Sequence, residues 1–190
     1  MSRRLWSFWI CVLALNAGLV SRVHANPVGS LGELGQGAVI LFRHANAPGG
    51  GDPPGMRIGD CSTQRSLDAE GRDQARRIGE QLRRRGVSVG ALWTSQWCRA
   101  SETAALAFPG MRVIEQPAFN SFFDDRTKAE AQTAQAMSLL RHWRGPGGLV
   151  VTTHQVNIAA LTGVSPASGE GVVVRFRGDG LAVVGRVPSP

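Results

Sequence analysis

The sequence predicts an α/β fold, a three-layer α/β/α sandwich around a mainly parallel sheet. Three observations carry that expectation. The run Gly37-Ala38-Val39-Ile40-Leu41-Phe42 is apolar throughout and stops at charged residues, the pattern of a strand buried on both faces. Amphipathic helical stretches then alternate with further short apolar runs. Toward the end of the chain, Gly171–Phe176 and Leu181–Val187 flank Gly178-Asp179-Gly180, which reads as a hairpin turn.

After the first strand, Ala45–Gly59 is rich in Gly and Pro and is expected to be a loop. Asp68 is placed to cap a helix running to about Arg85. Glu70 lies in its first turn, and Arg83-Arg84-Arg85-Gly86 ends it with basic residues and a glycine stop. The triple arginine is thereby accounted for as a solvated helix end. Ala75, Ile78, Gly79 and Leu82 recur at helical spacing and form its buried face. A second strand is expected over Val87–Thr94, a short helix over Arg99–Phe108 stopped by Pro109-Gly110, and a third strand over Met111–Glu115. A loop over Gln116–Thr127 precedes a helix over Lys128–Trp143, with Ala131, Ala134, Met137, Leu140 and Trp143 expected to face inward. A fourth strand spans Gly147–Thr152, and a helical turn or two over Val156–Leu161 is closed by Gly163.

Residues 1–25 have the organisation of a secretory signal peptide. A basic start at Arg3-Arg4 leads into an apolar stretch from Leu5 to Val20, and Val23 and Ala25 are the small residues before a cleavage point. The apolar stretch is short for a bilayer span, which takes ~20 residues. Cleavage after Ala25 would leave residues 26–190 as a single domain with no stable membrane span, periplasmic or secreted. It would also remove Arg3, Arg4 and Arg22 and no acid, lowering the formal charge from +7 to +4. That excess is modest and is not organised into basic runs with interleaved aromatics, so no nucleic-acid partner is expected. A weakly cationic surface suits a phosphorylated small molecule or glycan, or an anionic lipid headgroup. Cys11 falls in the leader. Cys61 and Cys98 remain as an even pair in an oxidising compartment, and a Cys61–Cys98 disulfide is expected.

The chemistry concentrates at strand ends. Arg43-His44 follows the first strand, His154 the fourth, and Arg99 opens the helix after the second. In open α/β sheets ligands bind at the carboxyl ends of the strands, so these four side chains are expected to converge. A helix N-terminus at Arg99 would add free N–H groups to the same place. Arg43 and Arg99 can each hold two oxygens of a phosphate dianion. One neutral imidazole can take the phosphoryl group and pass it to water. The other, protonated beside the dianion, can stabilise the equatorial oxygens. The chemistry needs no metal or cofactor, and no metal-ligand spacing is present. Gln64 and Arg65 are further substrate-binding candidates, since a loop arginine can hold a second anionic group. His142 is expected on the surface. Trp93 and Trp97 flank the second strand end, where one of them can line the pocket.

Leu41-Phe42-Arg43-His44-Ala45, Ser66-Leu67-Asp68-Ala69-Glu70-Gly71-Arg72-Asp73-Gln74-Ala75, Ser95 with Arg99-Ala100-Ser101-Glu102-Thr103-Ala104, and Thr153-His154 occur in the order of the histidine phosphatase superfamily, whose signatures they resemble. The resemblance spans roughly residues 37–163. It implies a phosphoglycerate-mutase-like fold, His44 as the phosphorylated nucleophile, and Arg43, Arg99 and His154 as the phosphate pocket. It implies a phosphoric monoester hydrolase of the histidine acid type. Gly59–Arg65, Ser95–Arg99 and Thr153–Asn157 are further similar to small exported bacterial members, the lipopolysaccharide core heptose-phosphate phosphatases, which points to envelope sugar phosphates. Ala47 and Gln155 stand where the acid-phosphatase and phytase branch has an arginine and an acid, so a phytase-like activity is not expected. The family often places its general acid after the third strand. Asp124 or Asp125 occupies that place, and each reads equally as an ordinary loop or helix-start carboxylate. If neither reaches the site, good leaving groups such as phosphohistidine are favoured. The rival reading is a non-catalytic module that captures phosphoglycans or phospholipid headgroups.

Overall fold

The computed structural model describes residues 37–190; the expected leader and its cleavage point lie outside the described residues. Six strands form one sheet in the order β3-β2-β4-β1-β5-β6. They are β1 (Val39–Arg43), β2 (Val89–Thr94), β3 (Val113–Glu115), β4 (Gly148–Thr153), β5 (Gly171–Arg177) and β6 (Gly180–Val187). β3, β2, β4 and β1 are mutually parallel, and the β5–β6 hairpin adds two antiparallel strands beside β1. The helices are α1 (Ala69–Arg84), α2 (Cys98–Ala107), α3 (Ala129–His142) and α4 (Gln155–Thr162). The expected three-layer sandwich is what the chain forms.

Alternation along β1 divides the core. Ala38, Ile40 and Phe42 pack with Ile78 and Leu82 of α1 and Ala104 and Ala107 of α2. Val39 and Leu41 pack on the opposite face with Ala136 and Leu140 of α3 and Ile158 of α4. β1 is therefore apolar throughout because both of its faces are covered.

α1 begins where Asp68 accepts a hydrogen bond from the Gly71 N–H, and its buried residues include Ala75, Ile78, Gly79 and Leu82, as its spacing predicts. In α3 the expected inward positions hold for Leu140 and Trp143 near its end but not for its first turns. Ala131 and Ala134 are exposed, and Ala136 and Leu140 are the buried residues, with Leu139 and Trp143 partly buried against the same core. The larger side chains of the last turns set the phase, and alanine, equally tolerable on either face, does not.

At Gly79 α1 packs directly against the backbone at the end of α2. A Cβ there would stand 1.7 Å from the Ala107 carbonyl oxygen. Alanine raises helix propensity by about 1 kcal/mol, but the clash must push two helices apart, and overpacking costs about 1–3 kcal/mol or more. Gly79→Ala is expected to lower the midpoint of chemical denaturation, and an unchanged or higher midpoint would refute the close approach.

Candidate active site

Three neighbouring parallel strands, β2, β4 and β1, end side by side. The His44 N–H donates to the Thr153 carbonyl at 2.9 Å and the Ser95 N–H to the Thr152 carbonyl at 3.0 Å. Ladder hydrogen bonds thus continue one residue past β1 and β2 and fix the backbones of His44 and Ser95, while His154 follows directly on Thr153 at the start of α4 on the same edge. Both histidines are 3% exposed, and their ring centroids lie 5.4 Å apart.

His44 has a defined tautomer. Its Nδ1 lies 2.7 Å from the Ala45 carbonyl oxygen, which can only accept, so Nδ1 carries the proton. Nε2 then holds the lone pair, and it receives the Arg99 Nε–H at 3.2 Å. Burial, followed by the positive charges of Arg99, Arg43 and Arg65, pushes the His44 pKa down to about 3 against the opposing pull of the Ala45 carbonyl. Burial also drives His154 well below its ordinary value, with His44 and the same arginines adding to the effect. In the free site both imidazoles are therefore neutral. The protonated second histidine expected from the sequence requires the negative charge of a bound dianion.

His154 Nε2 lies 2.8 Å from Ser95 Oγ, which also accepts the Trp97 N–H at 3.1 Å. Trp97 meets the His154 ring edge-on at 5.5 Å, whereas Trp93 packs on Phe119. Arg43 donates from Nη1 to the Pro166 carbonyl at 3.2 Å. Its Nε is buried without a partner, as is that of Arg65, and both side chains line the cavity. Burial first, and Arg99 next, lowers the pKa of each. Orphaned buried guanidinium donors are costly, and an oxyanion would supply the missing acceptors. The cavity is about 210 Å³ and also reaches His44, Arg99, His154 and Asp124.

The remaining motif residues position this group. Thr103 Oγ1 accepts the Ala45 N–H at 3.0 Å and donates to the Arg99 carbonyl at 2.6 Å, tying the His44 segment to α2. Gln74 Oε1 accepts the Asn46 N–H at 2.8 Å, and Asn46 Nδ2 donates to Asp68 Oδ2, tying the same segment to α1. Cys61 and Cys98 form the expected disulfide.

Several expectations change. Gln64 spends its amide on the scaffold: Oε1 accepts the Cys98 N–H at 2.9 Å and Nε2 donates to the Arg57 carbonyl at 2.8 Å. It is no substrate ligand here, and it takes an N–H of the α2 terminus that was expected to be free for phosphate. Arg65 does line the cavity, and its Nη1 also holds the Ala47 and Gly49 carbonyls. Asp124 lines the cavity. Asp125 is turned away to cap the 3-10 turn Arg126–Lys128 through the Thr127 N–H, and hydrogen bonds from Thr127 and Lys128 hold its carboxyl below the usual range. His142 is exposed, with Nδ1 on the Ser138 carbonyl. Asp52 is a site residue that sequence reasoning missed. Its carboxylate pairs with Arg99 at 2.7 Å and 3.0 Å, with both side chains buried. The signal that could have found it is charge balance, because a buried cluster of arginines calls for a counter-charge from a nearby loop. Among the described residues, no group of three or more His, Cys, Asp or Glu side chains could hold a metal ion, and no helix is long and apolar enough to cross a membrane.

The neutral histidines bear on stability. A histidine whose folded pKa is depressed contributes stability that is present above its unfolded value of about 6.5 and is lost as pH falls below it, because the unfolded chain then binds protons that the folded chain refuses. The denaturation midpoint is expected to fall steadily from pH 7 to pH 4, with a shallower fall in His44→Asn. An equal slope in that variant would contradict the neutral His44.

Two histidines at the ends of adjacent parallel strands, with Arg43 of β1, Arg65 of a loop and Arg99 of α2, line one cavity whose donors can hold a tetrahedral oxyanion. The family model of the histidine phosphatase superfamily (branch 1) matches residues 39–148, and the chain belongs to that superfamily. The matched span contains Arg43, His44 and Arg99, and His154 lies just beyond it. Among solved structures, the fold is similar to the protein histidine phosphatase SixA complexed with tungstate, at 16% identity over 80% of this chain and 97% of that one, TM-score 0.57. It is also similar to a phosphoserine phosphatase from Entamoeba histolytica in complex with 3-phosphoglyceric acid (13%, 78% and 95%, TM-score 0.55) and to the alpha-ribazole phosphatase from Shigella flexneri (18%, 80% and 96%, TM-score 0.52). No curated protein is a significant sequence match.

Proposed function

We propose that this protein is a metal-independent phosphomonoester hydrolase that works through a phosphohistidine at His44. The observation that carries the reading is the fixed tautomer of His44: Nδ1 donates to a backbone carbonyl, so the nucleophilic lone pair on Nε2 points to the Arg99 guanidinium. In the first step Nε2 attacks phosphorus, a P–N bond forms, the P–O ester bond breaks, and the leaving oxygen gains a proton. In the second step water attacks phosphorus, the P–N bond breaks, and orthophosphate leaves. Arg43, Arg99 and Arg65 hold the oxygens, and His154 stabilises the equatorial charge. The low pKa of His44 keeps the nucleophile unprotonated well into the acid range, which supports the acid-type reading.

The substrate is proposed to be a phosphorylated small molecule or glycan outside the cytoplasm, with an envelope sugar phosphate as the leading candidate. The disulfide supports export, as does the leader-like organisation of residues 1–25. Asp124, lining the cavity, is the proposed proton donor to the leaving oxygen.

The test is hydrolysis of an aryl phosphate by the purified protein in EDTA. Turnover supports the hydrolase, and a large loss on chelation would sink the metal-free mechanism. Absence of turnover with retained orthophosphate binding would favour the non-catalytic module. Asp124→Asn is expected to slow alkyl phosphates about 100-fold and aryl phosphates much less, since a phenolate needs little protonation. Equal losses on both would remove Asp124 from that role.

A further inference from the structure

We infer that Asp52 is a positioning residue, whose carboxylate holds Arg99 so that its Nε edge faces the nucleophile while leaving room for phosphate on the same guanidinium. The inference rests on the hydrolase reading for the word nucleophile, but its geometry concerns any oxyanion bound beside His44.

A guanidinium has two edges that can each bind an anion with a pair of N–H groups, one formed by Nη1 and Nη2 and the other by Nε and Nη2. Asp52 takes the first, with Oδ1 2.7 Å from Nη1 and Oδ2 3.0 Å from Nη2. The second edge is turned to His44, whose Nε2 lies 3.2 Å from Nε. A phosphoryl group approaching His44 Nε2 meets the Nε–H and the second Nη2–H. It need not displace the carboxylate.

Asp52 is also fully engaged. Oδ1 accepts from Arg99 Nη1 and from the Arg65 N–H at 3.2 Å, and Oδ2 accepts from Arg99 Nη2 and from Trp97 Nε1 at 2.8 Å. A carboxylate offers about four lone-pair sites, so none remains for a substrate proton. Burial pushes its pKa up, but hydrogen bonds from Arg99 and Trp97 and the Arg99 charge outweigh this and hold it below the usual range. The same carboxylate fixes Trp97, which abuts the His154 ring. The residue reaches this place from a loop in which Gly49 and Gly51 adopt φ of 98° and 72°, backbone that other residues rarely adopt. One carboxylate thereby braces two walls of the site and offsets part of the charge of three arginines.

The experiment is a double-mutant cycle on the purified protein with its disulfide intact, using wild type, Asp52→Ala, Arg99→Ala and the double variant. Asp52→Asn keeps an oxygen for Trp97 and serves as the conservative control, and thermal melting verifies the fold of each variant. Affinity for inorganic orthophosphate and kcat/KM for an aryl phosphate are both read. Asp52→Ala is expected to weaken orthophosphate binding and to lower kcat/KM by about 100-fold, the scale of a misplaced catalytic group, with a smaller loss in Asp52→Asn. In the Arg99→Ala background the further loss is expected to be at least about tenfold smaller than in wild type, the remainder coming from the contacts to Trp97 and the Arg65 N–H. Tighter orthophosphate binding in Asp52→Ala would show that the carboxylate competes for the anion's place and would overturn the inference. Additive losses would overturn it too, since a merely structural role does not act through Arg99. If the wild type binds orthophosphate without turnover, the hydrolase reading fails, and the cycle on affinity alone still decides the role of Asp52. If the wild type binds no orthophosphate, both readings fall.

Discussion

Replacement of His44 by alanine is expected to lower aryl phosphate turnover by about five to six orders of magnitude, the scale seen when a covalent nucleophile is removed. Orthophosphate binding should survive. The two activities separate because they rest on different atoms. Binding draws on the guanidinium groups of Arg43, Arg65 and Arg99, which line the same cavity. Turnover needs the lone pair on His44 Nε2, set by the Nδ1 contact to Ala45. A quenched reaction with labelled substrate should give wild-type protein carrying an acid-labile, alkali-stable phosphoryl group, and His44→Ala should carry none. His154→Ala is expected to lose about 100- to 1,000-fold, the usual cost of one transition-state donor, and should still form the adduct. Full turnover in His44→Ala would end the phosphohistidine mechanism. A persistent adduct in that variant would move the nucleophile elsewhere, with His154 the first candidate.

The parts of this site that were legible in the sequence share one property: their position follows from a strand end. Arg43, His44 and His154 each sit at or directly after a β-strand, and Arg99 opens the helix that follows one, so the sheet dictates where each segment emerges. β1 was legible because both of its faces are buried, and α1 because Asp68 and the basic last turn mark its limits. Asp52 was not legible, since the path of a Gly- and Pro-rich loop carries no periodicity. Only the fold shows that this loop turns back onto Arg99. Gln64 illustrates the converse. Its place beside Arg65 suggested a ligand, but a buried amide next to a helix start meets unsatisfied backbone groups first and is used up there. The first turns of α3 escaped for a plainer reason: an alanine fits either face, so Ala131 and Ala134 carried no phase, whereas Leu140 and Trp143 take the inward places expected of them.

Loss of the disulfide is expected to have the largest effect on stability. Cys61 lies in a 3-10 turn and Cys98 is the first residue of α2, with 37 residues of sequence separation that enclose α1 and β2. Closing a loop of that length removes enough unfolded-state entropy to stabilise the folded chain by about 4 kcal/mol. In a domain of this size that corresponds to a melting temperature lower by roughly 8–16 °C in Cys61→Ser/Cys98→Ser or in strong reductant. The site should respond as well, because the bridge ties the segment carrying Gln64 and Arg65 to the helix carrying Arg99. Gln64 still holds the Cys98 N–H in the variant, so Arg99 is expected to stay near His44. Arg65, which braces the carbonyls of Ala47 and Gly49, loses its anchor more fully. KM should therefore rise before kcat falls. A melting temperature indifferent to reductant, or two free thiols in the unreduced protein, would show that the pair is not bridged. A fall in kcat at constant KM would show that the bridge supports Arg99 rather than the loop that faces the substrate.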